Sequence, residues 1–468
     1  MKIKFGTDGW RAIIADDFNL VNLVRVSEAA ADWLKLNVSN PKVLIGYDTR
    51  FGGKLFAETV AKVFAFKNVK VILSETFCST PMVSLGTVQS NASLGIIITA
   101  SHNPAEYNGL KLKGAYGGPL LSDHVMEIEQ LIPDEISVPF RDMNIKEFTG
   151  NNMLEYINLE DLYVNYLHQH FNIAAIKKSG IKWVYDAMYG AGQNVIKRLF
   201  DDVKLIHCEQ NPSFYGQAPE PIQANLSDIS NYIRSTPGID FGLATDGDAD
   251  RLGIFDGKGN FIDSHHMILM LIHYIKNHEN KSGKVITTFS ASSKIKALCR
   301  HYGIDCEITK IGFKYICEKM IMEDVLLGGE ESGGIALKGH IPERDGIWVG
   351  LVFLEMLVKT GKTLQEIISE IDAIVGEFDV ERIDLKLSEL DKLKIINNCR
   401  NGKYHAFGRF KVQKMEDMDG FKYFFSDDKW IMIRPSGTEP VLRAYAEANN
   451  KEEAMSILEA GKETILAD

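Results

Sequence analysis

Apolar and polar positions repeat in the same order three times along the chain. A short apolar run at 43–46 reads as a buried strand, apolar residues at helical spacing follow over 54–66, and a second strand follows at 69–73. The order returns at 182–185, 192–200 and 203–206, and again at 285–288, 293–302 and 305–308. Strand, helix and strand with short links is the pattern of parallel strands joined by crossover helices. Each repeat then closes on a third apolar strand that runs into a polar, glycine-rich loop. Residues 94–99 lead into Ala100-Ser101-His102-Asn103-Pro104, residues 241–244 into Asp246-Gly247-Asp248-Ala249-Asp250-Arg251, and residues 325–327 into Gly329-Glu330-Glu331-Ser332-Gly333-Gly334. The tail departs from this order. Segments 422–425, 430–434 and 442–448 alternate like antiparallel strands, and 451–466 has the spacing of an amphipathic helix. The expected architecture is α/β: three similar α/β domains with mixed, mainly parallel sheets, and a smaller C-terminal α+β domain. The expected boundaries are 1–150, 151–258, 259–375 and 376–468, with linkers at 133–152, 256–260 and from Gly376 onward.

Composition narrows the class. The chain has 468 residues, of which 45% are hydrophobic and 25% charged, so it is globular and long enough for large cores without disulfides. A formal charge of −11 argues against a nucleic-acid binder, which needs a basic face for phosphates. It does not exclude a small anionic substrate met by local arginines. The six cysteines (Cys78, Cys208, Cys299, Cys306, Cys317 and Cys399) form no Cys-x-x-Cys pair and read as reduced core residues. The first residues lack the apolar core of a signal peptide, and no apolar stretch is long enough to span a membrane, so a cytoplasmic protein is expected.

The three loops differ in chemistry. Asp246, Asp248 and Asp250 repel one another unless a cation sits among them, and their hard oxygens suit Mg²⁺. An EF-hand loop does not fit, because Arg251 stands where the glycine is needed and Gly257 where the glutamate is needed. A solvated acidic turn is the plain alternative. Ser101 ends an apolar strand and lies outside any Gly-x-Ser-x-Gly elbow. Alone it reads as a turn serine. Beside a metal loop it becomes a candidate for phosphorylation, which would add about −1.5 to −2 charges for a cation to offset.

In Arg434-Pro435-Ser436-Gly437-Thr438-Glu439-Pro440, a glycine turn, two hydroxyls and a guanidinium make a candidate phosphate nest. Glu330 and Ser332 suit vicinal sugar hydroxyls, or else Glu330 is a buried structural acid. Lys111 and Lys113 share one face of a strand, where a desolvated lysine can serve as general acid or base and a solvated pair is the commoner case. No Gly-x-x-x-x-Gly-Lys-Ser/Thr loop is present, and Gly190-Ala191-Gly192 lacks the third glycine of a dinucleotide fingerprint.

Together with Phe5-Gly6-Thr7-Asp8-Gly9-Trp10-Arg11, these loops resemble, over essentially the whole chain and in the right order, the α-D-phosphohexomutase family of phosphoglucomutases and phosphomannomutases. The resemblance implies four domains around one cleft and a mobile C-terminal domain. It implies that Ser101 carries the catalytic phosphoryl group, and that Asp246, Asp248 and Asp250 bind Mg²⁺ with the phosphoserine oxygen completing the site. Glu330 and Ser332 are implied as sugar contacts, with Gly312 in the sugar-contact loop 310–314. Arg434, Ser436, Gly437 and Thr438 are implied as the cradle of the non-reacting phosphate. Thr7, Arg11, His102, Lys111 and Arg251 are implied as charge-balancing or proton-handling groups, and Arg344 in Glu343-Arg344-Asp345-Gly346 as a basic substrate contact. Some members end the sugar loop in Gly-His; here it ends in Gly333-Gly334, which looks more like glucose-preferring or mixed members.

The expected activity is interconversion of hexose 1-phosphate and hexose 6-phosphate, glucose and/or mannose, through a hexose 1,6-bisphosphate that also serves as activator. The expected partners are small sugar phosphates, with no nucleic acid or membrane, on a monomer or homodimer. The alternatives are a phosphoglucosamine mutase, a sugar phosphatase using Asp246 as nucleophile, and a non-catalytic sugar-phosphate sensor.

Overall fold

A computed structural model describes residues 3–435 and 441–467. The chain divides into two compact units, Met1–Ser264 with Gly312–Leu364, and His265–Ile311 with Gln365–Asp468.

The first unit holds the first two repeats. In the first sheet the strands run in the order Trp10–Ile13, Tyr107–Gly114, Leu94–Ile98, Lys42–Tyr47, Lys70–Ser74 and Leu154–Ile157. The last four are mutually parallel; the first two are antiparallel additions. Leu94–Ile98 is buried at every position because helices cover both faces of a parallel strand, which explains its continuous apolar run. The helices Leu20–Asn37 and Gly53–Phe66 pack on one face, and Thr80–Gln89 starts at Ser79, whose side chain accepts from the Met82 amide at 3.3 Å.

The second sheet runs Phe261–Ile262, Leu252–Asp256, Phe241–Thr245, Trp183–Asp186 and Lys204–Ile206, parallel over its last three strands. The helix expected over 192–200 is confined to Val195–Leu199, because Gly190-Ala191-Gly192 is spent on a turn under the aspartate loop, where the Ala191 amide donates to the Gly247 carbonyl at 2.9 Å. The segment 133–152, read as a linker, contains the short helix Ile145–Gly150. The same unit includes the hairpin Val325–Gly329 with Ile335–Leu337 and the buried helix Gly346–Thr360, capped by Asp345.

In the second unit, Lys284–Thr288 pairs in parallel with Cys306–Thr309, with the helix Ser293–Tyr302 between them in sequence. The tail forms a five-stranded antiparallel sheet, Asp379–Lys386, Val441–Ala448, Lys429–Pro435, Phe421–Ser426 and Lys414–Glu416, covered by Lys451–Leu466. The strand Asp379–Lys386 falls where a linker was expected. It is an edge strand with no fully buried position, so its sequence lacks a clear apolar face. All six cysteines are free, and among the described residues no helix is long and apolar enough to cross a membrane.

Candidate active site

Ser101 sits one turn beyond Leu94–Ile98, with 1% of its surface exposed and φ at +52°. A serine rarely holds this left-handed backbone without support. Support comes first from the Thr99 hydroxyl, which accepts from the Ser101 amide at 2.8 Å and donates to Asp48 Oδ2 at 2.6 Å. Burial pushes the Asp48 carboxyl up to about 6. The Ser101 hydroxyl donates to Asp246 Oδ2 at 3.0 Å, and His102 Nδ1 lies 3.4 Å from it.

Asp246, Asp248 and Asp250 lie in the loop between Phe241–Thr245 and Leu252–Asp256, the strands whose Thr245↔Leu252 register closes it. All three are fully buried, and one oxygen from each falls within a 4.8 Å cluster. Gly247 lets this loop meet the serine loop: a Cβ there would come within 2.5 Å of the Ser101 carbonyl oxygen. Asp248 Oδ1 and Asp250 Oδ1 are buried without a hydrogen-bond partner. Such oxygens are costly to leave bare, and convergent carboxylates are the donor set of a hard divalent cation. The residues therefore fit Mg²⁺. Burial, with Asp248 and Asp250 close by, pushes the Asp246 carboxyl well above its ordinary range.

The opposing charge comes from Tyr107–Gly114. Lys111 and Lys113 share a face as the alternation predicted, and both are buried. Lys111 Nζ reaches Asp248 at 2.7 Å, Asp8 at 2.8 Å and Asp250 at 2.9 Å. Burial alone would lower its pKa, but the three carboxylates raise it, so Lys111 is desolvated and still held as an ammonium. Burial would likewise raise Asp8, yet Lys111, Arg344 and Lys113 hold it well below the usual carboxylate range. Lys113 pairs with Glu343 at 2.6 Å. His102 goes the other way. Burial, then the nearby Arg251 and Arg11, lower it well below the ordinary histidine value, so it is neutral at pH 7.

Glu330 and Ser332 lie on the turn between Val325–Gly329 and Ile335–Leu337. Burial pushes the Glu330 carboxyl up to about 7 against the pull of Arg344 and Arg251. Arg344 is 3% exposed. Its guanidinium contacts Asp8 at 2.5 Å and Asp250 at 2.7 Å and lies 3.7 Å from Glu330. Gly334 makes room for it, because a Cβ there would stand 2.4 Å from Arg344 Cδ. Arg11 donates to Asn103 Oδ1 at 2.8 Å, and the Arg251 amide donates to Asp246 Oδ1 at 3.0 Å. Thr7 is exposed beside Gly312, whose added Cβ would stand 2.8 Å from Thr7 Cγ2.

The first unit thus brings together Ser101, His102, Lys111, Arg11, Arg251, the three aspartates, Glu330 and Arg344. In the second unit Arg434 is described, its guanidinium on Asp419 at 3.2 Å, and the Ile311 amide donates to the same carboxylate at 2.8 Å. Ser436, Gly437 and Thr438 lie outside the described residues. Sequence reasoning gave no role to Asp8, Thr80, Glu343 and Asp419. Asp8 had a signal, as the acid inside Gly6-Thr7-Asp8-Gly9. Thr80, whose hydroxyl donates to Asp248 Oδ2 at 2.5 Å, had none.

Known protein families match most of the chain. Family profiles for the phosphoglucomutase/phosphomannomutase alpha/beta/alpha domains I, II and III match residues 2–138, 161–259 and 263–373, and the profile of the C-terminal domain matches 386–463. A phosphoglucomutase/phosphomannomutase of Thermococcus kodakarensis is 29% identical over 462 residues, covering 98% of this chain and 97% of its own. A phosphoglucosamine mutase of Fusobacterium nucleatum is 31% identical over 459 residues, covering 96% and 95%. A crystal structure named provisionally as a phosphomannomutase, from Thermus thermophilus, superposes with a TM-score of 0.86 at 30% identity over 99% of each chain.

Proposed function

Because the chain belongs to the phosphoglucomutase/phosphomannomutase family and is a phosphohexomutase, an isomerase, we propose that it interconverts glucose and/or mannose 1-phosphate and 6-phosphate through a phosphoserine at Ser101. Its relatives are mutases, which removes the phosphatase reading with Asp246 as nucleophile. The observation that carries the proposal is a buried serine hydroxyl, on strained backbone, 3.0 Å from a carboxylate whose neighbours keep two bare oxygens.

In this reading Asp246, Asp248 and Asp250, with an oxygen of the Ser101 phosphoryl group, hold Mg²⁺, which offsets charge on the group in transfer. Lys111 stays an ammonium and fixes Asp8, Asp248 and Asp250 in place. Neutral His102 is within reach of the Ser101 oxygen and can take or return a proton there. Arg11, Arg251 and Thr7 balance the phosphoryl charge, Glu330 and Ser332 bind sugar hydroxyls, and Arg344 and Gly312 complete the sugar side. Arg434, Ser436, Gly437 and Thr438 hold the phosphate that does not react. A hexose 1,6-bisphosphate forms on the enzyme and serves as its activator. The enzyme acts in the cytoplasm as a monomer or homodimer.

A phosphoglucosamine mutase is the second reading, supported by the name of the Fusobacterium nucleatum relative. Coupled assays with glucose, mannose and glucosamine 1-phosphates decide between them by kcat/KM. Ser101→Ala should lower kcat on the best substrate by about 10⁴–10⁶-fold, the scale of losing a covalent nucleophile. Near-normal turnover by that variant would sink the phosphoserine reading.

A further inference from the structure

We propose that Arg50 is a positioning residue that sets the geometry of Ser101, a role that rests on Ser101 being the phosphoryl carrier. Arg50 follows the strand Lys42–Tyr47 and is 3% exposed. Its guanidinium uses all four terminal N–H groups on one loop. Nη2 donates to the Ser101 carbonyl at 2.6 Å and the Asn103 carbonyl at 2.5 Å; Nη1 donates to the Pro104 carbonyl at 2.8 Å and the Tyr107 carbonyl at 3.1 Å. Nε faces Asp48 Oδ2 at 3.4 Å, on the carboxylate oxygen that also accepts from Thr99. The guanidinium carbon lies 4.9 Å from the centre of the Phe214 ring, a 1% exposed side chain that closes the far side of the cation.

Four carbonyls pointing at one centre repel one another, and a chain turning through φ +52° at Ser101 is strained. A planar fork with its donors in fixed directions relieves both at once. A lysine ammonium has three donors around a point and cannot match four carbonyls spread over Ser101 to Tyr107. The Ser101 carbonyl is also where the aspartate loop arrives, because the missing side chain of Gly247 leaves that oxygen room. Arg50 therefore fixes the backbone from which the Ser101 hydroxyl meets Asp246. It reaches no reacting atom itself.

The test compares Arg50→Lys and Phe214→Leu with the unsubstituted enzyme. Arg50→Lys keeps the buried positive charge and should fold with a melting temperature a few degrees lower. Its kcat should fall about 10²-fold, the scale of an ångström-level misplacement. KM for the best hexose 1-phosphate should change less than about threefold, because the substrate contacts are untouched. Phe214→Leu should give a smaller loss of the same kind. Amide hydrogen exchange over residues 99–108 should speed up at least about tenfold in Arg50→Lys, while exchange in the strand Lys42–Tyr47 stays slow. A folded Arg50→Lys with wild-type kcat overturns the proposal, as does unchanged exchange over 99–108. Exchange is read without substrate. Failure of the unsubstituted enzyme to turn over any hexose phosphate would thus remove the proposed function and leave the clamp to be judged by exchange alone.

Discussion

Lys111 in the first unit and Lys422 in the second are both buried, at 1% and 4% exposure, and their surroundings shift them in opposite directions. Lys111 touches three carboxylates and is held charged. Lys422 donates to the Phe289 and Ala291 carbonyls at 3.1 and 3.4 Å and lies 3.6 Å from the centre of the Trp430 ring. Burial lowers it to about 8. The carboxylates differ in the same way. Glu447 accepts from Trp430 Nε1 at 2.6 Å, from the Ser292 hydroxyl at 3.1 Å, and from the Ser293 amide and hydroxyl at 2.8 and 2.6 Å. Asp248 and Asp250 each keep one bare oxygen. Burial is common to both regions. The unsatisfied acceptors distinguish the one suited to a cation from the one that only holds packing together.

The largest expected difference between the regions comes from removing each lysine in turn. Lys111→Met takes the cation from Asp248 and leaves Asp8 and Asp250 leaning on Arg344, so kcat should fall about 10³-fold and stability by about 3–5 kcal/mol. Lys422→Met exchanges a costly buried charge for an apolar chain of similar length. It should keep kcat near wild type and leave stability unchanged or higher by about 1 kcal/mol. Steady-state assays and denaturant unfolding of both variants check this, and equal effects would erase the distinction.

Next in size, Gly334→Ala should push Arg344 off Asp8 and Asp250. A loss of about 10–10²-fold in kcat/KM is expected, because the charged region depends on placement, with about 1–3 kcal/mol of overpacking cost. An alanine variant with wild-type kinetics would mean that the Arg344 position is not used. Smaller still is a pH effect. Glu330, raised to about 7 by burial, gains a proton below that pH and loses the charge that makes it a strong acceptor for a sugar hydroxyl. The acid limb of kcat/KM should therefore drop about tenfold per pH unit below 7, and Glu330→Gln should abolish the limb.

The smallest expected effect belongs to the second unit. Between pH 8 and 10.5 the folded Lys422 holds fewer protons than the unfolded one, so stability rises with pH there. The gain from pH 7 to 9.5 should be about 2 kcal/mol in the unfolding of this unit, and Lys422→Met should lack it. A flat pH dependence in the parent enzyme would contradict the depressed lysine.

Much of this was legible in local pattern. The helices 293–302 and 451–466 fall at Ser293–Tyr302 and Lys451–Leu466, because apolar spacing and capping residues act within a few turns. The aspartate and serine loops were visible because a parallel strand ends abruptly in polar, turn-forming residues. The edge strand Asp379–Lys386 was not, since an edge leaves no apolar face to read. Arg50 reads as one basic residue near a turn; nothing nearby announces four carbonyls that lie more than fifty positions away.

The sequence alone determined the repeated strand–helix–strand order, the three loops at matching strand ends, and the shared face of Lys111 and Lys113. All of these follow from short-range geometry. Tertiary structure decided which charges meet: Lys111 with Asp248 across 137 positions, Arg344 with Asp8 across 336. It also decided which groups stay charged, because a pKa in a protein interior depends on burial and on partners that only the folded chain supplies. The sequence showed that Lys111 and Lys422 are lysines. Only the fold made one a fixed cation among carboxylates and the other a weakened one among carbonyls and rings.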